Sequence, residues 1–245
     1  MEHKQTGENT TEGALRQRLA AYFLSAPSLK EQTAPQRREY LERLRQLGEL
    51  EQQELLDHAG AARPMVWANP TPLIQAVCGA VQRLAAGLGH SLCIFPAAGI
   101  LLGSETLVHP RMLTVTLCAL LTDLCRQTQG QTVWVRLQEM RYGLAVAVSL
   151  PEGGLSPRTA ALIAECTRLH GGSLVHSDNT LIFSCGQAEK PDAGVRLYAV
   201  PTEQELLDDS LSPVWSVFYS SSGSTVSRSP ASTIPSCGED SSALR

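Results

Sequence analysis

The chain has 245 residues, 43% of them hydrophobic, enough to fill the core of one large domain or of one domain with an appendage. Its formal charge of −4, from 20 basic and 24 acidic residues, gives no net attraction to nucleic acid or to an anionic membrane. No apolar run approaches the roughly 20 residues needed to span a bilayer, and the polar opening MEHKQTGENTTEG is unlike a secretory signal, so a cytoplasmic protein is expected.

After this arm, Ala14 to Ser25 places Leu15, Leu19 and Tyr22 at helical spacing, and Ala26-Pro27-Ser28 ends the helix. A second helical stretch is expected from about Thr33 to Ala62, opened by Pro35, with Leu41, Leu44, Leu55, Ala59 and Ala62 as an apolar stripe interrupted at Gly48. Neither helix buries its stripe alone. The pair is therefore read as an antiparallel hairpin packed on a second copy of itself, the alternative being a hairpin folded back onto its own C-terminal domain.

Asn69-Pro70-Thr71-Pro72 marks a break, and Leu73 to Ala86 reads as a helix stopped by Gly87 and Gly89. Ser91 to Phe95 is strand-like, and His109-Pro110 opens an apolar helix to about Gln127. Thr132 to Leu137 and Leu144 to Leu150 read as two antiparallel strands. Pro157 starts a helix that runs to His170 and stops at Gly171-Gly172, with short strands at Ser173 to His176 and Leu181 to Cys185. Val195 to Val200 is a candidate edge strand and Glu203 to Asp208 a short helical turn. This order predicts an α+β protein: a helical hairpin, then an α/β sandwich with helices on one face of a mixed sheet. Beyond Tyr219 the Ser-rich composition predicts a disordered tail.

Seven cysteines contain no CxxC pair and most sit in apolar runs, so they read as small buried hydrophobes in a reducing compartment. No metal site or cofactor is expected. The serines form no Gly-x-Ser-x-Gly elbow, and the six histidines are scattered.

Three stretches taken together resemble the catalytic core of bacterial sensor histidine kinases, a dimerisation hairpin followed by a GHKL-type ATPase fold. Leu15-Arg16-Gln17-Arg18-Leu19 looks like the helix after the phosphoacceptor. His109-Pro110-Arg111-Met112-Leu113 through Asp123 to Thr128 looks like the nucleotide-contacting helix, and Leu162 to Leu174 like the late helix that ends in His-Gly-Gly. The resemblance runs from about Gly13 to Gly186 and implies a division into an arm (1–12), a hairpin (13–66), an ATPase-like domain with a C-terminal extension (67–218) and a tail (219–245).

The departures from that family bear on function. Gly13 and Ala14 stand where the phosphoacceptor histidine is expected. Ala119 and Asp123 stand in place of the two asparagines of the nucleotide helix; Asp123 still offers an oxygen to magnesium, and Arg126 matches a position that is often basic near phosphate. Where an Asp-x-Gly-x-Gly motif should contact adenine, the chain reads Leu150-Pro151-Glu152-Gly153-Gly154, and Pro157 follows with no room for a phosphate-covering lid. The resemblance with its losses implies an inactive kinase-like protein, not an enzyme, with no catalytic residue. Such a protein works by binding a response regulator or a partner kinase through Leu15, Leu19 and Tyr22, and a second copy of itself through the hairpin, the alternative being that these three side chains fill the dimer core. The alternatives are a phosphotransferase relaying phosphate through His58, the one candidate histidine of the hairpin, and a residual ATP-binding kinase.

Overall fold

A computed structural model of the chain describes residues 14–15, 18–19, 21–22, 32–61, 63–87, 91–95, 105–127, 132–140, 143–177, 179–186, 198–209 and 212–216. Residues 14–15, 18–19 and 21–22 are helical; the arm, the tail and residues 195–197 of the expected edge strand lie outside the described residues. No helix among them is long and apolar enough to cross a membrane.

The first full helix, α1, is Ala34–Asp57. Pro35 suits its first turn, and the Thr33 N–H donates to Gln36 Oε1 at 2.9 Å, so the exposed amides at the start have a partner. Arg43 on Glu39 and Arg45 between Glu42 and Glu49 add ion pairs three and four residues apart. With this support the helix runs unbroken through Gly48. It stops at Asp57, before Ala62, because the chain turns at Gly60 with φ of 81°.

Strand β1 (Val66–Ala68) leads into α2 (Pro70–Gly87), whose first turn holds both prolines of the expected break. Asn69 Oδ1 accepts from the Thr71 N–H at 2.9 Å and so takes up a donor at that end. Strands β2 (Ser91–Phe95) and β3 (Thr106–Val108) precede α3 (Pro110–Gln127). The β1–β3 antiparallel pair had no signal in the sequence, since three residues are too few to display an alternation.

Strands β4 (Thr132–Met140) and β5 (Gly143–Ser149), helix α4 (Pro157–Leu169) and strands β6 (Leu174–Ser177) and β7 (Thr180–Gly186) complete the sandwich. The five-stranded sheet has the order β2-β4-β5-β7-β6 and is mixed: β2 runs parallel to β4, and every other neighbour is antiparallel. On β4, Val133, Val135 and Leu137 are buried while Trp134, Arg136 and Gln138 are exposed, so α2, α3 and α4 cover one face.

Helix α3 is central, with every residue from Met112 to Cys125 buried, the pattern of a helix packed on all sides. Cys78, Cys118, Cys125, Cys166 and Cys185 are buried free thiols, and burial pushes those of Cys78 and Cys185 up to about 12. Residues 198–200 are irregular. They lead to α5 (Glu203–Asp208) and a 3₁₀ turn at Pro213–Ser216, which pack on α2 and α3.

Helix α1 lies against its own α/β domain. Leu55, 1% exposed, belongs to the main core, while Tyr40 and Leu44 bury against Leu19 of the preceding helical residues. The apolar stripe expected to need a second copy thus finds much of its cover within one chain.

Candidate functional site

The residues that sequence reading places around a nucleotide come together at the C-terminal end of α3. A cavity of about 250 Å³ lies there, with Arg45 and Gln52 of α1 on one side, Thr122, Asp123 and Arg126 of α3 on the second, and Arg158 of α4 on the third. Asp123 is buried at 6% exposure, and Arg126 is exposed in the last turn of α3.

Asp123 Oδ2 accepts from the Ser156 N–H at 2.9 Å. Ser156 is the N-cap of α4: its Oγ accepts from the Thr159 N–H at 3.2 Å, and Pro157 follows in the first turn. The start of α4 is therefore met by a protein carboxylate and a serine hydroxyl. Gln127 Nε2 donates to Gly154 O at 2.6 Å, and the Leu150 N–H to Asn179 O at 2.6 Å, so both ends of the β5–α4 connection are bonded to the domain. Leu150 packs against the core, and Glu152 is exposed.

The guanidinium of Arg45 is held between Glu42 and Glu49, and the first of these holds it most firmly in the charged state. Thr122 Oγ1 is buried with no hydrogen-bond partner in the described structure. No group of three or more His, Cys, Asp or Glu side chains is placed to hold a metal ion among the described residues.

The other end of α3 is a histidine relay that sequence reading did not find. His109 Nδ1 accepts from the Met112 N–H at 3.0 Å and caps the helix, while the His109 N–H donates to His170 Nε2 at 3.0 Å. His170 Nδ1 in turn donates to Cys166 O at 2.7 Å, which fixes its neutral tautomer. Burial lowers the pKa of both rings. These histidines are 61 residues apart, and only the fold joins them.

Polar contacts tie α1 and the turn after it to this domain. Arg111 reaches Glu51 and Glu54, both within about 3 Å. Glu165, 7% exposed, accepts from the Gly60 N–H at 2.9 Å and from Arg168, the hydrogen bond from Arg168 doing most to lower its pKa.

The residues read as a docking face differ in access. Leu15 is 38% exposed, Leu19 is 1% exposed inside the hairpin, and Tyr22 is half-buried. The Tyr22 ring sits 6.1 Å from that of Tyr40, with the Arg43 guanidinium 4.2 Å above its centroid. His58 is exposed at the C-cap of α1, and its Nδ1 donates to Glu54 O at 2.9 Å.

No family model and no curated protein sequence matches the chain. Among solved structures it is similar in fold to histidine kinases. With the histidine kinase AdeS of Acinetobacter baumannii it shares 12% identity over 74% of this chain and 98% of that one, at a TM-score of 0.47. The catalytic domain of histidine kinase ThkA shares 16% identity over 51% of this chain and 97% of that one, at 0.41. ThkA in complex with the response regulator protein TrrA shares 16% identity over 73% of this chain and 57% of that one, at 0.45.

Proposed function

We propose that this chain is a histidine-kinase-like signalling protein without catalytic activity, acting by protein binding in a two-component pathway of the cytoplasm. The observation that carries the reading is the bond from the Ser156 N–H to Asp123. A helix N-terminus after a glycine-containing loop is where free amides and the helix dipole favour a phosphate. Here a carboxylate occupies that place, and its charge repels a second anion.

The supporting features agree in direction. Only residues 150–156 join β5 to α4, which leaves no length for a lid over a triphosphate. Leu150 offers no hydrogen bond to an adenine amino group, and Gly13 and Ala14 offer no nitrogen to a phosphoryl group. What remains is a protein-binding surface on the hairpin, centred on Leu15 and Tyr22 with Leu19 beneath. Its partners are a response regulator or a partner kinase, and a second copy of the chain.

Titration calorimetry with ATP, and with a nonhydrolysable analogue, in the presence of magnesium tests this. No saturable heat is expected in the micromolar range. Saturable micromolar binding overturns the reading and restores a residual kinase.

A second reading, phosphotransfer through the hairpin, is favoured by one observation. With the Nδ1 proton of His58 engaged on Glu54 O, the Nε2 of an exposed imidazole carries the lone pair a phosphoryl acceptor needs. Incubation with a phosphorylated response regulator separates the two readings. Acid-labile label on the wild type but not on His58→Gln establishes transfer, and no label leaves binding alone.

A further inference from the structure

The histidine end of α3 borders a second cavity, of about 850 Å³, a volume typical of small-molecule sites. Three parts of the chain wall it. Glu51 comes from α1, Val66 and Thr114 from the α/β domain, and Tyr198 and Leu206 from the C-terminal segment.

Much of the wall is apolar and stiff. Pro64, Pro110, Pro201 and Pro213 line it, and each proline brings a fixed φ and no N–H donor. Tyr198 and His109 add no charge near neutral pH. Burial raises the pKa of the Tyr198 phenol and lowers that of His109, whose Nδ1 is engaged on the Met112 N–H.

The charged side chains among the described lining residues are the carboxylates of Glu51 and Asp209 and the guanidinium of Arg111. Arg111 is held by Glu51 and Glu54 at about 3 Å, so protein carboxylates already balance it. Asp209 stands at a fixed place on the rim, because its backbone oxygen accepts from Trp215 Nε1 at 3.0 Å and from the Ser212 N–H at 3.0 Å. The cavity therefore carries an excess of negative charge, which repels an anion and attracts a cation.

We propose that this cavity is a binding site for a small organic cation, an apolar body carrying one amine. The body lies against the proline-rich wall and the ammonium beside Asp209. The site is at the opposite end of α3 from the cavity at Asp123, and the proposal goes beyond the reading of the chain as a signalling protein. A molecule bound there touches α1, the α/β domain and the C-terminal segment together, so its binding stabilises the junction between them.

Titration calorimetry on the full chain tests the site with three probes that share one aromatic body: tryptamine, tryptophol and indolepropionate. Tryptamine should saturate below about 1 mM and bind about fivefold or more tightly than tryptophol, with indolepropionate the weakest. Asp209→Asn should remove most of the preference for the amine. Met65→Trp, which sets a larger ring into the wall, should abolish binding. No saturable binding of tryptamine, equal affinity for the three probes, or an unchanged amine preference in Asp209→Asn overturns the proposal. Binding that survives Met65→Trp lies elsewhere and overturns it too. If Met65→Trp does not fold, Asp209→Asn decides alone, since that side chain is exposed. None of these outcomes depends on the titration with ATP.

Discussion

At the scale of single residues, the two ends of α3 carry the informative chemistry. Asp123 was visible in the sequence as a lone carboxylate in an apolar helix; its use was not, because Ser156 lies 33 residues further on. Asp123→Ala leaves the Ser156 N–H without its acceptor and should cost about 1–3 kcal/mol in a denaturant titration, whereas Asp123→Asn, which keeps an oxygen, should cost less. At the other end, His109 and His170 have folded pKa values below the ordinary imidazole value. The unfolded chain takes up protons as pH falls through about 6.5 while the folded rings resist, so stability is present above that pH and declines below it. Urea midpoints should therefore fall between pH 7.5 and 5.5, more through the buried His170 than through the half-exposed His109. A His170→Gln variant should show a shallower decline over that range.

At the scale of elements, legibility followed length and pattern. Helix α3 was read at nearly its true limits because His109-Pro110 and a long apolar run mark it from within. Strands β4 and β5 were read because apolar residues and a turn delimit them. The β1–β3 pair was not readable, since it depends on neighbours the local sequence does not name. The Gly171-Gly172 stop was read as a helix terminator, and the structure gives the two glycines different tasks. Gly171 has φ of 60°, a conformation that costs an ordinary residue about 1–2 kcal/mol. Gly172 has no Cβ because β7 passes against it: a Cβ there would stand 1.6 Å from Ser184 O. Gly172→Ala must push α4 away from the sheet, and should lower stability more than Gly171→Ala, by about 2 kcal/mol or more in thermal unfolding.

At the scale of the whole molecule, the sequence displayed two parts and left open how they meet. Leu55 looked like one more position on a helical stripe, and nothing in its surroundings said that it enters the main core. Leu19 likewise read as a docking residue, while its burial leaves Leu15 and Tyr22 as the accessible side chains. Tyr22→Ala should weaken binding to a response regulator while moving the melting temperature little, because the side chain is only partly buried and its contact with Arg43 is worth about 0.5–1 kcal/mol. Calorimetric melting and partner titration on that variant decide it: a large drop in melting temperature places Tyr22 in the hairpin core and removes this docking face. The bond between Gly60 and Glu165 also has a meaning in time. Its two residues are 105 positions apart, and a ribosome adding about 5–20 residues per second needs roughly 5–20 seconds to pass from one to the other. Until that interval has passed Leu55 has no finished core to enter, so this helix waits on the domain it will join while that domain is still being made.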